Sequence, residues 1–167
     1  MKTFCLVWVL SCFLVTSGIT DPAGSKTTRT PSPDGSFVAV ISSTEAKSPE
    51  NRVTVVSKEK GSQAEFPMTS QGGGDGRYVL KSEWSSDSKF FVFSTFSAGA
   101  HSSWNFKTFV YSVDANKFVS VDEKVRPVTD ERFQLISPHT LQVETLNPSG
   151  IDFPSFKRTI DVATLFR

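Results

Sequence analysis

Cysteine is nearly absent from this sequence: of 167 residues only two are cysteines, Cys5 and Cys12. Both fall within an apparent N-terminal export signal, so the exported chain carries no thiol. Disulfide bonds and cysteine chemistry are therefore excluded, and the fold must be stabilised by core burial, which a chain of this length allows. A thiol-poor exported chain is typical of bacteria, and we expect the protein to be secreted or periplasmic.

The first 20 residues have the pattern of a cleaved secretory signal peptide. Lys2 provides a small positive region, and the stretch from Phe4 to Val15 is almost wholly apolar and is followed by small residues. The apolar run is too short to span a bilayer comfortably, so no integral membrane span is predicted. A lipid anchor at Cys12 is not favoured, because Leu10 stands where lipoprotein signals usually have a small residue.

The sequence also lacks an excess of one charge: it has 18 Lys and Arg residues and 17 Asp and Glu residues, for a formal net charge of +1. This balance provides no basic field to hold a phosphate backbone, so nucleic acid is excluded as a partner. The two histidines, His101 and His139, do not have metal-ligand spacing, and the glycine-rich stretch 71–76 lacks the lysine of a phosphate-binding loop. We predict no metal and no cofactor.

Helical periodicity is missing as well, because no long stretch repeats its apolar positions every 3.6 residues. Short aromatic and β-branched runs are present instead, and turn-forming residues such as Pro, Asp, Asn and Gly bound each of them. These runs predict an all-β domain with strands at Phe37–Ile41, Val53–Val56, Phe90–Phe93, Phe106–Val113 and Phe118–Val121.

A unit of about fifty residues repeats along the chain. Pro33–Val40 and Ser86–Phe93 align at a spacing of 53, each with a turn containing an aspartate followed by an apolar strand. A weaker third copy starts at Ser137 and ends in the alternating strand Phe156–Val162. We therefore predict one β-rich domain, residues 32–167, divided into repeats of about 32–84, 85–136 and 137–167, after a flexible N-terminal segment at residues 21–31.

The repeated segments resemble the blades of TolB-type and Trp-Asp-repeat-like β-propellers. In those blades a Trp-Ser-Pro-Asp-Gly-Lys segment precedes an apolar strand, and Ser32–Val40 and Trp84–Phe93 are similar to it. The stretch Val110–Asp114, Val-Tyr-Ser-Val-Asp, is similar to the blade strand that comes next. The resemblance, which covers roughly Pro31 to Val143, implies antiparallel blades around a common axis.

Closure of a ring needs at least four blades, and the chain has material for two blades and a partial third. Three arrangements stay open: an incomplete or open propeller, two chains that complete a ring as a homodimer, and a β-sandwich whose turns imitate the blade motif. The second arrangement would let each chain cover the unpaired strand edges of the other.

The connection after the strand at Phe90 is the most informative stretch for function. It contains His101 and Trp104, a titratable group and a flat amphipathic ring, beside small residues that permit tight turns. The candidate binding residues are His101, Trp104, Asn105, Phe106 and Phe96. The alternative is a packing role, in which these rings cover the adjacent sheet.

The favoured function is a non-catalytic binding or interaction module for an unknown protein, peptide or carbohydrate. The alternative is a small hydrolase or lyase with His101 as general base, although no Gly-x-Ser-x-Gly motif is present and we name no catalytic residue. Asp34 and Asp87 occupy equivalent turn positions, where a carboxylate accepts backbone N–H bonds, so a structural role is predicted for both.

Overall fold

The computed structural model describes residues 26–43, 51–66, 76–97, 106–146 and 155–167, and this part of the chain is all-β, as the sequence predicts. Its strands are β1 (Thr27–Pro31), β2 (Phe37–Ser43), β3 (Asn51–Ser57), β4 (Gly61–Phe66), β5 (Arg77–Trp84), β6 (Phe90–Ser97), β7 (Phe106–Ser112), β8 (Lys117–Ser120), β9 (Gln134–Ser137), β10 (Thr140–Thr145) and β11 (Phe156–Asp161). Two short helices accompany them, α1 (Asp122–Val125) and the 3₁₀ helix η1 (Val162–Phe166).

The strands form three antiparallel sheets in which neighbours in sequence are neighbours in space. Sheet 1 has the order β1-β2-β3-β4, sheet 2 has β5-β6-β7-β8, and sheet 3 has β11-β10-β9. Within the described residues sheet 3 is one strand narrower than the other two. The sheets are separate and open, which fits both an incomplete propeller and a sandwich.

The strands differ in two places from the boundaries drawn from the sequence. Residues 27–31, assigned to a flexible segment, form β1, because alternating threonines suit the pleated edge beside β2. The repeat boundary at residues 84 and 85 divides sheet 2 between β5 and β6, because the repeated turn joins the first and second strands of a sheet and does not precede the first. The structural units are therefore residues 27–66, 77–120 and 134–161.

Sheet 2 lies between the other two sheets and is apolar on both faces. Along β6, Phe91 and Phe93 belong to the core shared with sheet 1, whereas Phe90 and Val92 belong to the core shared with sheet 3. Successive side chains of a strand point to opposite faces, so a strand buried on both sides needs a continuous apolar run. This position explains the Phe-Phe-Val-Phe sequence of β6.

Each interface between sheets has its own core. The core between sheets 1 and 2 is mainly aromatic on the side of sheet 2, with Phe91, Phe93, Phe109, Tyr111 and Trp84 packed on Ala39, Ile41, Val53 and Val55 of sheet 1. The core between sheets 2 and 3 is mainly aliphatic and also takes residues from both short helices: Phe90, Val92, Val110, Val121, Val125, Val128, Phe133, Leu141, Val143, Val162 and Leu165.

The outward faces of the two flanking sheets carry polar residues. The register places Arg29, Val40, Thr54 and Glu65 in one row on the outer face of sheet 1. On sheet 3 the corresponding row is Gln134, Gln142 and Thr159. The next row on sheet 1 is Pro31, Val38, Val56 and Ser62, so the outer face of this sheet is mixed in polarity. The homodimer that would complete a ring stays a prediction.

Candidate functional site

The two ends of the three-sheet stack differ in how the strands are connected. At the turn end, strands of one sheet are joined by turns of two to five residues, at 32–36, 58–60, 85–89, 113–116 and 138–139. At the opposite end, which we call the loop end, the strands lead into the longer connections 44–50, 67–76, 98–105, 121–133 and 146–155. Binding residues are commonly placed on longer loops held by a rigid scaffold, so the loop end is the candidate functional face.

The turn end is organised by two serine–aspartate pairs with the same geometry. The hydroxyl of Ser32 donates to Asp34 Oδ1 at 2.6 Å, and the hydroxyl of Ser85 donates to Asp87 Oδ1 at 2.6 Å. Each aspartate also accepts a backbone N–H, from Ser36 at 3.0 Å and from Lys89 at 3.3 Å. Both carboxylates therefore close a turn, as the sequence predicts.

The same turns also connect the sheets to one another. The backbone N–H of Asp34 donates to Ser88 Oγ of sheet 2 at 3.0 Å. Asp87 Oδ2 lies 2.8 Å from His139 Nε2 in the turn of sheet 3, and the His139 ring meets Phe90 edge-on at 5.4 Å. Asp87 and His139 thus act as a link between sheets 2 and 3, which is a structural use of groups that elsewhere serve as acid and base.

A further hydrogen bond recurs at this end in all three sheets. The carbonyl just before the second strand of a sheet accepts the N–H of the residue just after the third strand. The donor and acceptor pairs are Lys58 and Ser36 at 3.0 Å, Val113 and Lys89 at 2.9 Å, and Val162 and His139 at 2.8 Å. Sheet 3 therefore has the same local geometry as the first two sheets, although its turn is shorter.

The aspartates of the turn end predict a loss of stability in acid. The Ser32 hydroxyl and the Ser36 N–H lower the pKa of Asp34 to about 2. Partial burial opposes the shift at Asp87, but hydrogen bonds from Ser85 and His139 hold the pKa of that carboxyl below its ordinary value. A carboxyl whose pKa is lower in the folded state stabilises the fold above its unfolded pKa, and this stabilisation is lost as the pH falls through the folded pKa.

We therefore expect the free energy of unfolding to decrease as the pH falls from about 4 towards 2. Denaturant unfolding across that range measures the slope. The variant Asp34→Asn keeps an acceptor oxygen but does not titrate, so its slope should be smaller. Asp114→Asn, at an exposed turn position, is the control and should leave the slope unchanged; equal slopes for all three proteins would contradict the assignment.

At the loop end, three aromatic residues lie side by side across sheet 2. Tyr78 of β5 pairs with Phe96 of β6, and Phe96 pairs with Phe106 of β7. Directly paired residues point to the same face, so the three side chains form one row, which faces the side of sheet 3. The Phe96 and Phe106 ring centroids are 4.9 Å apart, and all three residues are partly exposed. We call this set the aromatic row.

The structure thus brings together two of the five residues singled out from the sequence, Phe96 and Phe106. His101, Trp104 and Asn105 lie outside the described residues, in the connection between these two phenylalanines. Sequence reasoning missed Tyr78. Its signal was weak: Tyr78 is one of only two tyrosines in the chain, and it precedes the repeated turn by a strand length.

The described part of the chain contains neither a cluster of metal ligands nor a membrane-spanning helix. No three His, Cys, Asp or Glu side chains there come together as metal ligands. Within the same residues, none of the helices has the length and apolar character needed to cross a membrane.

Comparison with known proteins provides little identification. No protein-family model matches the chain, and no curated protein matches it either. A crystal structure of a protein described as a conserved lipoprotein from Clostridium novyi NT is similar over 86% of this chain and 90% of that one, at 12% sequence identity and a TM-score of 0.48.

Proposed function

We propose that this protein is an exported, non-catalytic binding module of propeller-like architecture, and that its aromatic row holds a carbohydrate. The row is the observation that carries the proposal. Three partly exposed rings in register on neighbouring strands make an apolar strip about 10 Å long, since strands lie about 4.8 Å apart. The Phe96 and Phe106 rings are tilted by 44° to each other. Such a strip suits the apolar face of one or two sugar rings.

The composition of the chain between Phe96 and Phe106 supports an uncharged, hydroxyl-rich ligand. The connection 98–105, which joins Phe96 to Phe106, contains no Asp, Glu, Lys or Arg, but has two serines, an asparagine, a histidine and a tryptophan. These groups provide hydrogen-bond donors and acceptors with one further aromatic surface. A ligand held mainly by ion pairs finds few partners in this stretch.

The propeller-like arrangement is supported by three antiparallel sheets stacked in chain order. It is also supported by the turns of equivalent geometry at one end of the stack. The strand ends that lead into the longer connections lie together at the other end, and the proposed ligand site is at that end, as is common for folds that carry their function on loops. The export signal predicted at residues 1–20 supports a location outside the cytoplasm.

The test is a binding screen with soluble oligosaccharides, followed by calorimetry on the best ligand. We expect Phe96→Ala, Phe106→Ala or Tyr78→Ala to weaken binding at least about tenfold, with little change in Tm, because each removes part of an exposed aromatic contact. Trp104→Ala should weaken binding by roughly 2 kcal/mol if the indole is a central anchor.

Lys107→Ala provides the matched control. Lys107 is exposed and lies next to Phe106 on β7, but its side chain points to the opposite face of the sheet, so binding should be unchanged. A protein that binds neutral peptides and no oligosaccharide would contradict the carbohydrate assignment. Equal affinities for the wild type and the three row variants would contradict the site itself.

A further inference from the structure

A second concave site lies on the other face of β5, between sheets 1 and 2. It is a cleft of about 420 Å³ at the loop end, within the size range of small-molecule pockets. Residues of both sheets line it, among them Lys26, Thr28, Ser43, Asn51, Val79 and Leu80. Tyr78 of the aromatic row also lines the cleft, so the two sites meet at β5, whereas Phe96 and Phe106 lie on the opposite face of sheet 2 and outside the cleft.

Leu80 gives the cleft an exposed apolar rim. The pairing of β5 with β6 shifts between Val79 and Lys81, which makes Leu80 the extra residue of a β-bulge. Its side chain is 49% exposed, and it is one of two large hydrophobic residues so exposed in the described part of the chain. Exposing leucine to water is unfavourable, so a bulge that holds it at the mouth of a cleft points to a ligand with an apolar part.

The polar groups of the cleft are biased towards hydrogen-bond donors. Asn51 Oδ1 accepts the backbone N–H of Val79 at 2.7 Å, which fixes the oxygen of the carboxamide on that side. The orientation of the amide is therefore determined, and its NH₂ group is the end left for a ligand. Lys26 brings an ammonium group, and the hydroxyl of Thr28 can donate as well. The Ser43 hydroxyl is already used, because it donates to the Lys26 carbonyl at 3.3 Å.

Among the described residues that line this cleft none is Asp or Glu, and Lys26 is the charged one. A donor-rich site with one positive charge favours an acceptor-rich ligand with one negative charge. From the cleft, its rim and its donors we infer a binding site for a small carboxylate with a short branched or flat apolar group. The carboxylate contacts Lys26 and the Asn51 amide, and the apolar group packs on Leu80 and Val79.

The inference is tested with a pair of probes that differ in charge and not in shape. The 15N-labelled protein is titrated with 4-methylpentanoate and, separately, with 4-methylpentanamide, while backbone amide shifts are followed by NMR. We expect shifts at Ser43, Val79 and Leu80 with the carboxylate, and binding of the amide at least about tenfold weaker, because a charge-assisted hydrogen bond is lost.

Variants then locate the charge. Lys26→Met keeps the aliphatic length and removes the ammonium group, so affinity for 4-methylpentanoate should fall about tenfold. Asn51→Asp keeps an acceptor for the Val79 N–H and adds a negative charge, so binding should be lost. Lys58→Met, an exposed lysine at the turn end, is the control and should bind like the wild type.

Three outcomes would overturn the inference: equal binding of both probes, unchanged affinity in Lys26→Met, and shifts confined to residues away from the cleft. Lys26 is exposed, so its substitution is a fair test even if Asn51→Asp impairs folding. Phe96→Ala, on the opposite face of sheet 2, should leave carboxylate binding intact. Tyr78 is shared by the two sites, so Phe96→Ala and Lys26→Met are the variants that distinguish this inference from the carbohydrate proposal.

Discussion

Phe93→Ala is expected to reduce the free energy of unfolding by about 3–5 kcal/mol, which is the usual cost of removing a fully buried phenylalanine. Phe93 has no exposed surface, and its ring packs on Phe66, Phe109 and Phe118 at centroid distances of 5.4–6.0 Å. These rings belong to three strands other than β6, so the cavity cannot be filled by one neighbour. Chemical denaturation monitored by tryptophan fluorescence measures the change.

Phe96→Ala is the matched control for this experiment, because it is the same substitution three positions further along β6. Phe96 lies on the opposite face and is partly exposed, so its loss should cost no more than about 1–1.5 kcal/mol. A similar large loss for both variants would show that the aromatic row is part of the core. That result would also remove the basis of the carbohydrate proposal.

Trp84→Ala is also expected to reduce the free energy of unfolding by about 3–5 kcal/mol. We expect it to weaken the packing of sheet 1 on sheet 2 in particular. Trp84 is 6% exposed and lies on Phe91 and Phe37 at centroid distances of 5.1 and 6.2 Å. Its indole N–H donates to the carbonyl of Thr30 in β1 at 2.9 Å. The alanine variant loses the packing and leaves the carbonyl without this donor.

Hydrogen exchange separates attachment from general destabilisation. In Trp84→Ala the amides of β2 and β3 should lose protection before those of β10, since regions of a protein open according to their local stability. Leu141→Ala is the comparison, because Leu141 is fully buried in the core between sheets 2 and 3. Its effect should be largest in sheet 3, and identical exchange patterns in the two variants would contradict separate cores.

Much of the fold follows from local sequence. The apolar run of β6 is bounded by the Ser85–Lys89 turn, where Ser88 adopts a φ of +64°. The equivalent turn of sheet 1 has Gly35 at a φ of +72°, a conformation that glycine adopts without strain. Strands β1 and β4 were not predicted from the sequence, because they have few large apolar residues. They are strands because they pair with β2 and β3.

The candidate site was only partly visible in the sequence. Phe96 and Phe106 flank one connection, so a local reading could associate them. Tyr78 is 18 residues before Phe96, and only the register of β5 on β6 puts the two side by side. The bulge at Leu80 shifts that register, and nothing in the local pattern specifies it.

The sequence by itself determined the all-β class and the tight turns with their aspartates, because each depends on residues close together in the chain. The export signal, and the thiol-free exported chain that follows from it, stay predictions from the same kind of local pattern. Only the tertiary structure decided that the strand ends leading into the long connections share one end of the stack, that Tyr78 joins the aromatic row, and that Lys26, Asn51 and Leu80 line one cleft. Those arrangements depend on contacts such as Trp84 with Thr30, 54 residues apart. The free energy of such contacts comes from packing and register between sheets, which a local pattern does not contain.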